Sequence, residues 1–184
     1  MNRLASPAQL RASFVRWALF TVPAVLLLGR ASGLASGSAA DDPWFLALDK
    51  PAIFPPPITF GIVWPILYVL MGFAIATVCA AWGSRYRLPA ILAFVVQLAL
   101  NLAWSPIFFA GHEISLGLYV ILALDVAVAL TIVLFWKVRR VGALLLLPYF
   151  AWILFATVLN YQFLRLNPDA DGEEGSYAVQ RIEL

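Results

Sequence analysis

Five predominantly apolar runs, at about 14–37, 58–82, 88–109, 115–136 and 141–163, dominate the chain. A helix needs about 20 such residues to cross a hydrocarbon core of about 30 Å. Backbone donors and acceptors in lipid must be paired within the segment, so each run is expected to be a helix. The composition agrees: 63% of the residues are hydrophobic and 12% charged, whereas soluble domains are about one-half apolar and one-quarter charged. The predicted fold is an all-α integral membrane protein, a five-transmembrane-helix bundle over residues 14–167. A basic segment, 1–13, precedes it, and a polar tail, 168–184, is expected to be mobile.

The partner that composition implies is therefore the lipid bilayer. Lysines and arginines sit at the ends of apolar runs and form no stripe that could follow a phosphate backbone, which argues against nucleic acid. Cys79 is the only cysteine and His112 the only histidine, so one chain can build neither an internal disulfide nor a Cys/His metal cluster. The first run is the weakest span, because Arg16 and Arg30 interrupt it. Its basic start and the small residues of ASGLASG also fit a secretory signal peptide. Gly29, Gly33 and Gly37 recur every fourth residue, which suits either a close helix approach or a loose helix end. Arg3, Arg11, Arg16, Arg85, Arg87, Lys137, Arg139 and Arg140 fall on one side, against Arg30, Lys50, Arg165 and Arg181 on the other. The positive-inside rule then predicts a cytoplasmic amino terminus and an exoplasmic carboxyl terminus.

Between the first two runs lies LDKPAIFPPP, whose prolines fix φ and remove amide donors; residues 38–57 are expected to form an extended strap without helix. Pro23, Pro65, Pro106 and Pro148 recur within the spans, where each removes a helical hydrogen bond and favours a kink. Trp82 and Trp136 stand at span ends, as interfacial anchors do. Trp64, Trp104 and Trp152 lie deeper, where an indole N–H facing lipid would lack a partner, so they are expected to face the bundle or a ligand. Asn101 and Asn160 need hydrogen-bond partners in hydrocarbon, through interhelical pairing or a ligand, and Gln97 stands one turn before Asn101. Asp125, midway along the fourth span, is a candidate functional acid, expected to be buried against protein.

Three stretches together carry a resemblance: PWFLALDKPAIFPPPITFGIVWPILYVLMG, NLAWSPIFF and LLLLPYFAWILFATVLNYQFLRLN. In order and spacing, from Pro43 to Asn167, they resemble the TspO/MBR family of tryptophan-rich sensory proteins, translocator proteins and peripheral benzodiazepine receptors. The resemblance implies a five-helix bundle, commonly a homodimer, with a pocket opening toward the loop after the first helix. It implies ligands such as porphyrins (protoporphyrin IX), sterols (cholesterol) and benzodiazepine-type compounds, with porphyrin a ligand and no cofactor required, and in bacteria a link to stress and tetrapyrrole metabolism. Carried over residue by residue, Trp64 and Tyr68 match the second-helix pocket aromatics, with Phe60 one turn earlier. Trp152 matches the fifth-helix pocket tryptophan, with Ala156 one turn on; Asn101, Trp104 and Leu159 complete the candidate ligand-binding set. Leu159, Tyr161 and Arg165 coincide with the family's sterol-recognition segment, a short pattern that many unrelated helices share. Where relatives carry further aromatics in the strap, this chain has Ile53 and Ile58 and keeps Phe54.

Three functions compete on this reading. The leading one is a membrane receptor and regulator that binds hydrophobic ligands. A light- and oxygen-dependent porphyrin-degrading enzyme is the second; it would use Trp64 and Trp152, and the sequence offers no other catalytic set. The third is a transporter of porphyrin- or sterol-like molecules, against which five helices do not divide into two inverted repeats.

Overall fold

A computed structural model describes residues 6–37 and 42–172. Its long helices are α1 (Pro7–Ala35), α3 (Pro57–Cys79), α4 (Arg87–Ser105), α5 (Ile114–Val138) and α6 (Arg140–Leu166); α2 (Pro43–Ala47) is short. The five long apolar helices expected from the sequence are all present. Helix α1 opens on a reciprocal cap: the Ser6 amide donates to Gln9 Oε1 at 2.8 Å and the Gln9 amide to Ser6 Oγ at 3.3 Å. Two orphan amides are thereby satisfied. Helix α4 continues as one π-helical turn, Pro106–Ala110. Pro106 has no amide to donate, and its carbonyl is taken instead by the Gly111 amide five residues on, at 2.9 Å.

Helix α1 packs on α3, α3 on α6, α6 on α5 and α5 on α4, and α4 returns to α3 and α1 to close the ring. The core between them holds Met71, Ala74, Val78, Leu124, Val128, Leu146 and Tyr149. Small residues set the closest approaches. A Cβ on Gly72 would meet the Val22 Cα at 2.5 Å, and one on Gly29 would overlap the Tyr68 ring. Thr21 Oγ donates to the Gly72 carbonyl at 2.8 Å beside the first crossing. The first apolar run is thus a packed helix of the bundle. Of the glycine series, Gly29 alone serves close approach, since Gly33 and Gly37 have nothing within 4 Å of a would-be Cβ.

Two expectations change. The strap is not extended throughout, because α2 forms inside it. Asp42 caps this helix by accepting from the Trp44 amide at 3.1 Å, and Pro43 occupies its first turn, where a missing amide costs nothing. At its end the Lys50 ammonium donates to the carbonyls of Phe45, Leu46 and Leu48 at 2.5, 2.9 and 2.9 Å. A capping residue, a proline and a cation on the last carbonyls outweigh the extended bias of the prolines further on. The tail also begins later than residue 168: Pro168–Ala170 form a 3-10 turn, Ala170 is buried, and the Asp171 carboxylate accepts from the Ser115 amide at 2.9 Å. Residues 173–184 lie outside the described residues.

Candidate functional site

An open apolar groove of about 540 Å³ lies between α3 and α6 on one side of the bundle. It is lined by Pro55, Val63, Leu67, Pro148, Ala151, Trp152 and Phe155. The Trp152 ring forms part of its wall, edge-on to Phe60 at 5.8 Å between centroids and tilted against Phe155 at 5.5 Å. The Trp152 indole nitrogen is buried and has no hydrogen-bond partner. A buried donor without a protein acceptor carries a desolvation cost of about 1–3 kcal/mol.

Trp64 and Tyr68 stand one turn apart on α3, with rings stacked at 5.4 Å. Tyr68 reaches inward, where its hydroxyl donates to Asn101 Oδ1 at 3.1 Å. Among the described residues no ring contact joins Trp64 to Trp152: Trp152 meets Phe60, and Trp64 meets Tyr68. Consecutive residues on a helix point about 100° apart, so the groove side of α3 carries Val63 and Leu67 while Trp64 and Tyr68 turn toward α1 and α4. Ala156 is packed against the core, and Leu159 is buried.

The remaining candidates divide. Trp104 donates to Asn160 Oδ1 at 3.0 Å, and the Asn160 amide donates to the Ile114 carbonyl at 2.9 Å. Asn160 therefore performs the interhelical pairing that an amide in hydrocarbon requires. Gln97 accepts from the Tyr149 hydroxyl at 3.0 Å. Asp125 receives a bond from Thr157 Oγ at 2.9 Å on α6, while its other oxygen is buried without a partner. The sterol pattern does not form one surface: Tyr161 and Arg165 are exposed, but Leu159 turns inward. A spacing of two residues on a helix places side chains on nearly opposite faces.

Sequence reasoning missed the closure over the bundle's strap end. Trp44 is buried, stacks on His112 at 4.5 Å between centroids and donates its indole N–H to the Ala170 carbonyl at 3.1 Å. Asp42 lies 3.6 Å from His112 Nε2. Asp49 and Asn167 exchange hydrogen bonds of 2.7 and 3.0 Å. Phe54, the aromatic kept in the strap, packs against Phe45, Phe60 and Phe163, while Ile53 and Ile58 are exposed. Partial burial lowers the Lys50 ammonium from its usual pKa, and the Asp49 charge opposes that shift. The only signal for this closure was the polar, asparagine-containing character of the segment after α6. At the other end, the Arg87 guanidinium lies 4.0 Å over Trp82 and that of Arg140 lies 5.4 Å over Trp136, as interfacial anchors do.

Among the described residues, five long apolar helices, with tryptophans at one boundary, define an integral multi-pass membrane protein. The sequence pattern of the TspO/MBR family matches residues 19–166, and the chain belongs to that family. Among its relatives, the tryptophan-rich protein TspO of Archaeoglobus fulgidus is 38% identical over 151 residues, which is 80% of this chain and 94% of the relative. Protein CrtK of Rhodobacter capsulatus is 36% identical over 126 residues, covering 68% of this chain and 79% of the relative. The human translocator protein is 37% identical over 126 residues, covering 67% and 75%.

Proposed function

We propose that this protein is a membrane receptor and regulator that binds a flat hydrophobic ligand of the porphyrin or sterol kind, in a setting of tetrapyrrole metabolism or stress. The observation that carries the reading is Trp152: a rigid ring on the wall of a 540 Å³ apolar groove, with a buried donor that no protein group uses. Ligand sites combine apolar walls with few polar groups, and this groove, open along its outer side, supplies one such wall. Aromatic walls hold a planar guest while ordering few torsions. Two relatives carry the names translocator protein, in human, and tryptophan-rich sensory protein, in Cereibacter sphaeroides, and a sensing role is the one proposed here. In this reading the amino terminus is cytoplasmic, the strap covers the exoplasmic mouth, and two copies associate.

Titration with protoporphyrin IX in nanodiscs tests the proposal. Trp152→Phe keeps an aromatic ring, smaller than the indole, and removes the donor, so affinity should fall at least about 5- to 10-fold, the worth of one hydrogen bond. Trp82→Phe, at the far boundary, should bind as wild type does. Equal weakening by both variants, or none by Trp152→Phe, would reject the site.

A further inference from the structure

A guest bound at Trp152 arrives either past the strap end of the bundle or from the bilayer, and the two approaches differ in kind. The strap end is closed. Trp44 bonds to Ala170, Asp49 and Asn167 exchange two hydrogen bonds, and the Gly172 amide donates to the His112 carbonyl at 3.0 Å. Under those bonds Phe45, Phe54, Phe108 and Phe163 meet with centroids 5.6–6.1 Å apart. Entry there would break several hydrogen bonds and unpack an aromatic cluster together.

The groove between α3 and α6 offers the opposite. Pro148 and Ala151, two of its lining residues on α6, are exposed on the outer surface of the bundle. Around the middle of a span that surface faces hydrocarbon. The α3 wall is Val63 and Leu67, so no polar group guards the approach. Trp152 forms part of the α6 wall, and its indole N–H is buried without a protein acceptor.

We propose that the ligand enters sideways from the bilayer, directly into the α3–α6 groove where Trp152 forms part of the wall, and does not pass under the strap. The occupant is a rigid, flat, lipid-dissolved molecule that carries at least one hydrogen-bond acceptor. The apolar walls select the flat hydrocarbon surface and the Trp152 donor selects the acceptor. This inference rests on the ligand reading above and adds the route and the source.

Stopped-flow uptake of protoporphyrin IX from nanodisc lipid tests it. In a Cys79→Ala background, Asp49→Cys/Asn167→Cys is locked with a thiol-cleavable bismaleimide, so one sample is measured closed and then released. Locking should change the uptake rate by less than about 2-fold, whereas Ala151→Phe, which fills the groove from its lipid-facing side, should slow uptake about 10-fold or more. Val63→Phe on the opposite wall should act in the same way, and Val126→Phe, on the exposed face of α5 away from the groove, should leave the rate unchanged. Locking that slows uptake as much as Ala151→Phe, or normal uptake in both groove-filling variants, overturns the lateral route. Absence of porphyrin binding to the unlocked wild type would instead reject the ligand reading itself.

Discussion

Gly72→Leu is expected to lower the stability of the bundle by about 3 kcal/mol or more, because it drives a side chain into backbone and not into a movable neighbour. Even the first added carbon would sit 2.5 Å from the Val22 Cα. Relief requires α1 to move away from α3, and that motion also breaks the bond from Thr21 Oγ to the Gly72 carbonyl. Both losses arise at one crossing, so they should add to a single cooperative defect. Gly72→Ala should already be destabilising, and Gly61→Ala, where nothing lies within 4 Å, should stay within about 1 kcal/mol of wild type. Thermal unfolding of the detergent-solubilised protein, followed by near-ultraviolet circular dichroism, checks the series. A Gly72→Leu midpoint equal to that of wild type would show that the α1–α3 crossing is loose.

Trp44→Ala should release the strap at a cost of about 3–5 kcal/mol, the usual range for removing a buried aromatic. The side chain is 4% exposed, stacks on His112 and meets Phe108 edge-on at 5.7 Å. Its N–H supplies one of the hydrogen bonds that fasten the segment after α6. Without it the strap and residues 167–172 lose the buried aromatic part of their shared anchor and keep the Asp49–Asn167 pair, while α3 to α6 keep their own core. The expected result is therefore local: amide exchange should accelerate sharply at residues 43–50 and 168–172 and remain slow in the spans. Trp44→Phe should recover most of the packing but not the bond to Ala170, leaving intermediate protection. Uniform acceleration across all helices would mean that the closure is continuous with the core.

The spans were legible because hydrocarbon imposes a length and an apolar composition that few other segments satisfy. The pairing of Asn160 followed from the same solvent argument, since an amide in lipid must find a partner. What escaped were contacts between segments distant in sequence. Trp44 and Ala170 are 126 positions apart, and neither periodicity nor charge indicates that they meet. Helix α2 was hidden because the prolines of the strap argue for extended chain, whereas its start depends on a cap from Asp42 and its end on Lys50 folding back. In the candidate site, the facing of Trp64 and Trp152 turned on one residue of helical register: Val63 and Leu67, beside Trp64 and Tyr68, are the ones that line the groove. The spacing of four correctly grouped Trp64 with Tyr68 but could not say which neighbour that face would meet.

The seven tryptophans give seven indole N–H resonances in a sample labelled with nitrogen-15 at tryptophan, and the one missing from Trp152→Phe identifies Trp152. On addition of protoporphyrin IX in nanodiscs, that resonance should show the largest shift of the set, as an unpartnered donor acquires an acceptor beside the macrocycle. A Trp152 signal that stays in place while the porphyrin binds and another indole moves would contradict the assignment of this groove as the ligand site.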